Sequence, residues 1–193
     1  MRPAVPHRYA DELARLAARP AVTAAPPGLT ALAVRPIGDL EAYARRLREI
    51  LSAAVRAAGE QDFDADPLDE SGIPPWFAAV TDPTGTAGTV HTDVPPEAVA
   101  GAARYGPARG EDPWDLQEWL YCFDPELRRW RWWDATTPDG RTAVLWLDTR
   151  GEPVVPCEEL RWAAHAAGAH GVTGPTPAPT PDWPDQPSIG LPA

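Results

Sequence analysis

The stretch RRWRWWDATTPDGRTAVLWLDT, residues 128–149, constrains the fold of this chain more than any other. Two runs rich in aromatic and aliphatic residues flank Pro138, Asp139 and Gly140, residue types suited to a tight turn. The spacing predicts an antiparallel hairpin. With a three-residue turn, Thr137 stands opposite Arg141, Trp133 opposite Leu145, Trp132 opposite Trp146 and Trp130 opposite Asp148. Side chains alternate between the faces of a strand. Trp130, Trp132, Val144 and Trp146 then share one face, and Arg129, Arg131, Trp133, Leu145 and Leu147 the other. Both faces are apolar, so each needs a cover. A one-residue slip would exchange every face.

One cover is legible. Leu40, Tyr43, Leu47, Ile50, Leu51, Ala54, Val55 and Ala58 recur at helical period, which predicts an amphipathic helix over 39–58. Asp39 suits its N-cap and Gly59 its C-terminal stop. Glu41–Arg45 and Arg45–Glu49 are i,i+4 pairs on its wet side. A shorter helix is predicted at 7–19, with Tyr9, Leu13, Leu16 and Ala17 inward and Pro20 ending it. Another is predicted at 157–168, with Leu160, Ala163, Ala164 and Ala167 inward and Gly168 as the stop. Residues 95–104 also read as helix.

The remaining segments read as strands and loops. LTALAV (29–34) is a short strand, and 76–82 with 86–92 form a hairpin around Pro-Thr-Gly. WDLQEWLYCF (114–123) precedes the tryptophan hairpin as the first strand of a three-stranded meander, and 152–156 adds an edge strand. Residues 60–75 form an acidic loop. The expected fold is α+β: an antiparallel meander packed on two or three amphipathic helices in one domain over 1–172. With 25 prolines in 193 residues, loop-rich stretches are expected, and residues 173–193 are expected to be a disordered Pro-rich tail. Trp183 is anomalous there, unless it docks back onto the domain or onto a partner.

Charge narrows the function classes. The chain carries 28 acids against 17 arginines, a net charge of −11, and it has neither Lys nor Asn. Such a field repels phosphate backbones and steers basic partners inward, which argues against nucleic acid. No apolar run is long enough to span a membrane, and the start lacks the apolar core of an export signal. The two cysteines, Cys122 and Cys157, have no disulfide or metal spacing and read as reduced thiols. These features, with the Arg-only, Ala- and Pro-rich usage of a GC-rich genome, lead us to expect a bacterial cytoplasmic protein.

No nucleophile elbow, phosphate loop, dinucleotide fingerprint or zinc-protease motif is present, and no cofactor is implied. Asp62, Asp64 and Asp66 alternate like the start of a calcium loop, but Pro67 stands where Gly is needed and Ile73 where a bidentate Glu is needed. No metal is therefore expected. His91 and Asp93 form an isolated H-x-D pair suited to a general base but without a third ligand. His165 shares a helix with Cys157 two turns away, too far for direct contact. Cys157, at the N-terminal end of that helix, is a position that favours a thiolate, although Glu158 and Glu159 oppose it.

Two readings of the tryptophans stay open. Large apolar side chains usually lie inside, so packing explains them. Alternatively, Trp130, Trp132 and Trp146 face solvent as an anchoring strip. The second reading implies a non-enzymatic interaction module, in which Asp62, Asp64, Asp66, Asp134 and Asp148 attract a basic protein that the tryptophans hold. In size, charge and build the chain is similar to bacterial toxin-neutralising immunity proteins, a likeness that covers no motif and implies an inhibitor that occludes its partner. The competing class is a small enzyme or small-molecule binder with a Trp-lined pocket and His91 or His165 as the titrating group. Oligomeric state is not legible.

Overall fold

A computed structural model describes residues 7–83, 93–109, 114–152 and 154–192. The architecture is α+β. In chain order the elements are α1 (His7–Ala17), β1 (Gly28–Pro36), α2 (Leu40–Glu60), α3 (Pro75–Thr81), α4 (Pro96–Arg109), α5 (Leu116–Tyr121), β2 (Arg131–Thr136), β3 (Ala143–Asp148), α6 (Glu158–Ala166) and β4 (Ala169–Pro179). One antiparallel sheet has the order β2-β3-β1-β4.

Both faces of the sheet carry buried clusters. On its inner face Leu32, Val34, Trp132, Leu145 and Leu147 join Tyr43, Leu47, Ile50 and Leu51 of α2 in the main core. On the outer face Leu29, Trp133, Trp146 and Trp183 form a second, smaller cluster. The helix expected at 39–58 is α2, capped by Asp39, whose carboxylate accepts the Ala42 N–H at 2.7 Å. It continues through Gly59 to Glu60.

Several expectations are corrected. Residues 114–123 are not a strand but contain α5, with Asp115 accepting the Glu118 N–H at 2.7 Å. Leu116, Trp119, Leu120 and Phe123 follow helical, not alternating, spacing, and all four are buried. Residues 76–82 hold α3 and not a hairpin strand: Pro75 opens it, and Phe77, Ala78 and Thr81 face inward. The second arm, 86–92, lies outside the described residues. The meander is therefore replaced by the β2–β3 hairpin at one edge, with β1 beside β3 and β4 beyond β1. No strand is assigned to the described residues of 152–156; the edge strands are β2 and β4.

The hairpin register also differs. Asp134 pairs with Trp146 and Trp132 with Leu147, so Trp133 is the extra residue of a β-bulge. The turn is longer than three residues because the Asp139 carboxylate accepts the Arg141 and Thr142 N–H groups at 2.9 and 2.7 Å. The bulge puts Trp132 on the inner face and Trp133 with Trp146 on the outer.

The boundary expected between 172 and 173 falls inside β4, and the expected tail is part of the fold. β4 pairs with β1 from Pro36↔Ala169 to Gly28↔Pro179. Pro177 stands opposite Thr30 and Pro179 opposite Gly28; proline cannot donate to a ladder and is confined to such edge positions. An edge strand tolerates this. Gly174 (φ +103°) fits the irregularity between Ala31 and Ala33; a Cβ there would stand 2.7 Å from the Ala31 oxygen.

Candidate functional site

Beyond β4 the chain crosses the outer face of the sheet. A 3-10 turn (Thr180–Asp182) brings in Trp183, which is 0% exposed. The Trp133 ring stands edge-on to it, with centroids 5.5 Å apart at 80°. The Arg19 guanidinium lies 5.4 Å from the centre of its ring. The indole Nε1 donates to Asp134 Oδ2 at 2.9 Å, and Ser188 Oγ donates to the same oxygen at 2.5 Å. Asp134 is itself 0% exposed, and the Arg48 guanidinium contributes favourable charge to its surroundings. At Ser188 the chain bridges Thr136 on the far edge of the sheet.

These contacts decide the fate of the expected anchoring strip. Trp130, Trp132 and Trp146 are 1%, 0% and 2% exposed. None faces solvent: Trp130 Nε1 donates to Glu159 Oε1 at 2.5 Å, Trp132 lies in the main core, and Trp146 Nε1 donates to Thr136 Oγ1 at 2.7 Å. The helices cover the tryptophans of one face and the C-terminal segment those of the other. Asp134 is internal, and half-buried Asp148 accepts the Arg150 N–H at 2.9 Å. The proposed partner-binding residues are thus not gathered on one surface.

Asp62, Asp64 and Asp66 do lie together and are exposed. Their loop is held on α5: Gln117 Oε1 accepts the Leu68 N–H at 2.9 Å, Gln117 Nε2 donates to Leu68 O at 3.0 Å, and the Tyr121 hydroxyl donates to Ala65 O at 2.5 Å. Phe63 packs edge-on against Tyr121 at 6.3 Å. Exposed Asp115, Glu118 and Glu126 extend this acidic face along α5 and the turn after it. Partial burial, and then the Asp66 carboxylate, raise the Tyr121 phenol above its usual range. Asp69 is held below the usual carboxylate range by the Ser71 N–H and hydroxyl.

The charge is segregated along the chain as well. Residues 57–127 hold 15 of the 28 acids and 2 of the 17 arginines. The rest of the molecule, with 15 arginines against 13 acids, is close to neutral.

Among the described residues the candidate catalytic groups do not converge. His91 lies outside the described residues, and Asp93 is exposed. His165 is buried against Tyr105, with ring centroids 5.5 Å apart. Burial lowers its pKa, against backbone hydrogen bonds with Gly101 and Ala169 that raise it. Cys157 is not an activated thiol: burial, then the Glu159 carboxylate, push it up to about 12. Glu159 is raised too, by burial against the Trp130 hydrogen bond. Among the described residues no three His, Cys, Asp or Glu side chains gather as metal ligands. Two shallow depressions, of about 330 and 340 Å³, lie beside Thr30, Thr149 and Pro177 and beside Arg56, Glu60 and Asp69; neither is lined by a tryptophan or histidine.

Residues that sequence reasoning missed are polar and buried. Glu12 is 0% exposed, accepting the Trp132 N–H at 2.7 Å and Arg128 Nη2 at 2.5 Å. Its place between Tyr9 and Leu16 at helical spacing was the available signal. Trp183 is anomalous in its proline-rich surroundings, but nothing local points to Asp134 as its acceptor. Compared with protein-family models, with curated proteins and with solved structures, the chain gives no significant match to any.

Proposed function

We propose that this protein is a non-enzymatic interaction module that binds a basic protein through the acidic face built from the 60–70 loop and α5. The observation that carries the reading is the charge segregation. Residues 57–127 hold 15 acids and 2 arginines, and the loop that carries Asp62, Asp64 and Asp66 is held on α5, beside exposed Asp115, Glu118 and Glu126. Clustered like charges raise the local potential and accelerate encounter with an oppositely charged surface. The aromatic face of the sheet is occupied by the chain itself, so attraction and anchoring are assigned to the acidic face alone. Ionised Asp69 and the aromatic pair Phe63–Tyr121 supply its fixed points.

The test is capture from native lysate with the immobilised chain, beside the variant Asp62→Asn/Asp64→Asn/Asp66→Asn. The wild type is expected to retain a discrete basic protein at about 0.05 M salt and to release it above about 0.3 M, where screening shortens the reach of exposed charges. The variant, with unchanged tryptophan fluorescence, is expected to retain at most a tenth as much. Equal capture by the two chains, or capture of nothing basic, rejects the reading.

A further inference from the structure

The segment 180–189 is held as a peptide ligand is held. It leaves the β4 edge of the sheet and reaches β2, the opposite edge. Trp183 is its aromatic anchor on the outer face, and Ile189 at its end is a second buried anchor, packed into the main core. The Trp183 pocket offers a complete indole-recognition set: an aromatic edge from Trp133, a guanidinium over the ring from Arg19, apolar walls from Leu29 and Trp146, and an acceptor for Nε1 in Asp134.

The rest of the segment is gripped largely by its main chain. Arg19 Nη2 and Nη1 donate to the Pro184 and Gln186 oxygens at 2.9 and 3.0 Å. Arg48 Nη1 donates to Ile189 O at 2.6 Å. Thr137 N–H donates to Pro187 O at 3.1 Å, and Ile189 N–H donates to Ala135 O at 2.8 Å. These last two bonds add a short strand to the free edge of β2, which is strand addition by an extended peptide. Pro184 and Pro187 stiffen the segment in advance and so reduce the ordering cost of docking. The charged receptor groups Arg19, Arg48 and Asp134 belong to α1 or its end, to α2 and to β2, not to the segment.

We propose that the outer face of the sheet is a binding site for proline-rich peptides with a tryptophan anchor, that residues 180–189 are its ligand in cis, and that the same segment of a second copy can replace it. This proposal does not depend on the acidic face.

Two measurements on the full chain decide it. The first is hydrogen exchange of the wild type. The amides of Trp183, Gln186 and Ile189 are expected to be protected at least about 100-fold less than those of Leu145 and Leu147 in β3, because the segment opens without the sheet. A smaller difference means that the segment opens only with the whole domain, and overturns the proposal. The second is titration of Trp183→Ala with a synthetic peptide of residues 178–192, followed by indole fluorescence and calorimetry. The peptide is expected to bind this variant at least about tenfold tighter than it binds the wild type, whose site is filled. Its own Trp183→Ala version is expected to bind at least about tenfold more weakly. A folded variant that ignores the peptide, or binds both versions equally, overturns the proposal. If the variant does not fold, the exchange measurement stands alone and still decides.

Discussion

At the scale of single residues, the polar interior is the demanding part of this molecule. Glu12 and Arg128 are an ion pair with side chains 1% and 4% exposed, and Glu12 also serves the Trp132 amide. The Arg128 guanidinium further lies 5.4 Å from the Phe123 ring and 5.1 Å from Trp130. Removing one partner of a buried pair leaves the other charge without compensation. We therefore expect Glu12→Gln to lower stability by about 3–5 kcal/mol in urea denaturation. The double variant Glu12→Gln/Arg128→Met is expected to lose less than the single one, since it leaves no orphaned cation. A larger loss in the double variant would show that Arg128 acts mainly through its stacking on the aromatic rings. Glu12 was legible as a residue of the inward face of α1 but not as a buried acid, because its partners come from more than 100 residues further along the chain.

At the scale of elements, spacing succeeded where apolar residues repeat over several turns and failed where a segment is short. α2 was legible over nearly its full length. α5, at 6 residues, carries the β-favouring aromatics Trp119 and Tyr121, and composition outweighed its helical spacing. The contact between α4 and α6 depends on one missing side chain. A Cβ at Gly101 would collide with the His165 carbonyl, and the Gly168 Cα would be 2.9 Å away. Both obstacles are backbone, so the helices would have to separate, loosening the Tyr105 contacts with Trp162 and His165 at 5.1 and 5.5 Å. Gly101→Ala is expected to destabilise by about 1–3 kcal/mol, read as a lower urea midpoint with unchanged slope. Unchanged stability would mean that α4 can shift without cost.

At the scale of the whole molecule, the sheet is covered at its β2–β3 end and left open along β4, where most residues are exposed or half-buried. Helices cover its inner face, and the 180–189 segment covers the outer face around Leu29, Trp133 and Trp146, while Ala33 and Arg35 stay exposed. β4 ends in prolines that cannot donate, and β2 is occupied by Glu12 and Arg15 at Trp132 and by Pro187 and Ile189 beyond it. The charge is less evenly arranged, with the acidic face gathering repulsion at one part of the surface. Screening should relieve it. Raising sodium chloride from about 0.02 to 0.5 M is expected to increase stability in urea by up to about 1 kcal/mol. The increase is expected to be smaller in Asp62→Asn/Asp64→Asn/Asp66→Asn. An equal increase in both chains would place the repulsion elsewhere.

The sequence by itself determined that there is a hairpin around Asp139–Gly140, that its strands are apolar on both sides, that α2 covers one of them, and that an acidic loop follows α2. Each of these is a local pattern: a period, a cap, a turn or a run of charge. Tertiary structure alone decided which tryptophan lies on which face, because one bulge at Trp133 shifts the pairing and only packing on both sides of the sheet selects it. Tertiary structure also decided that the proline-rich end belongs to the fold. Composition reports how little such a segment can bury by its own neighbours. It does not report that β1 offers an edge on which a strand holding Pro177 and Pro179 pairs, or that Trp133, Trp146 and Asp134 together form a site for Trp183.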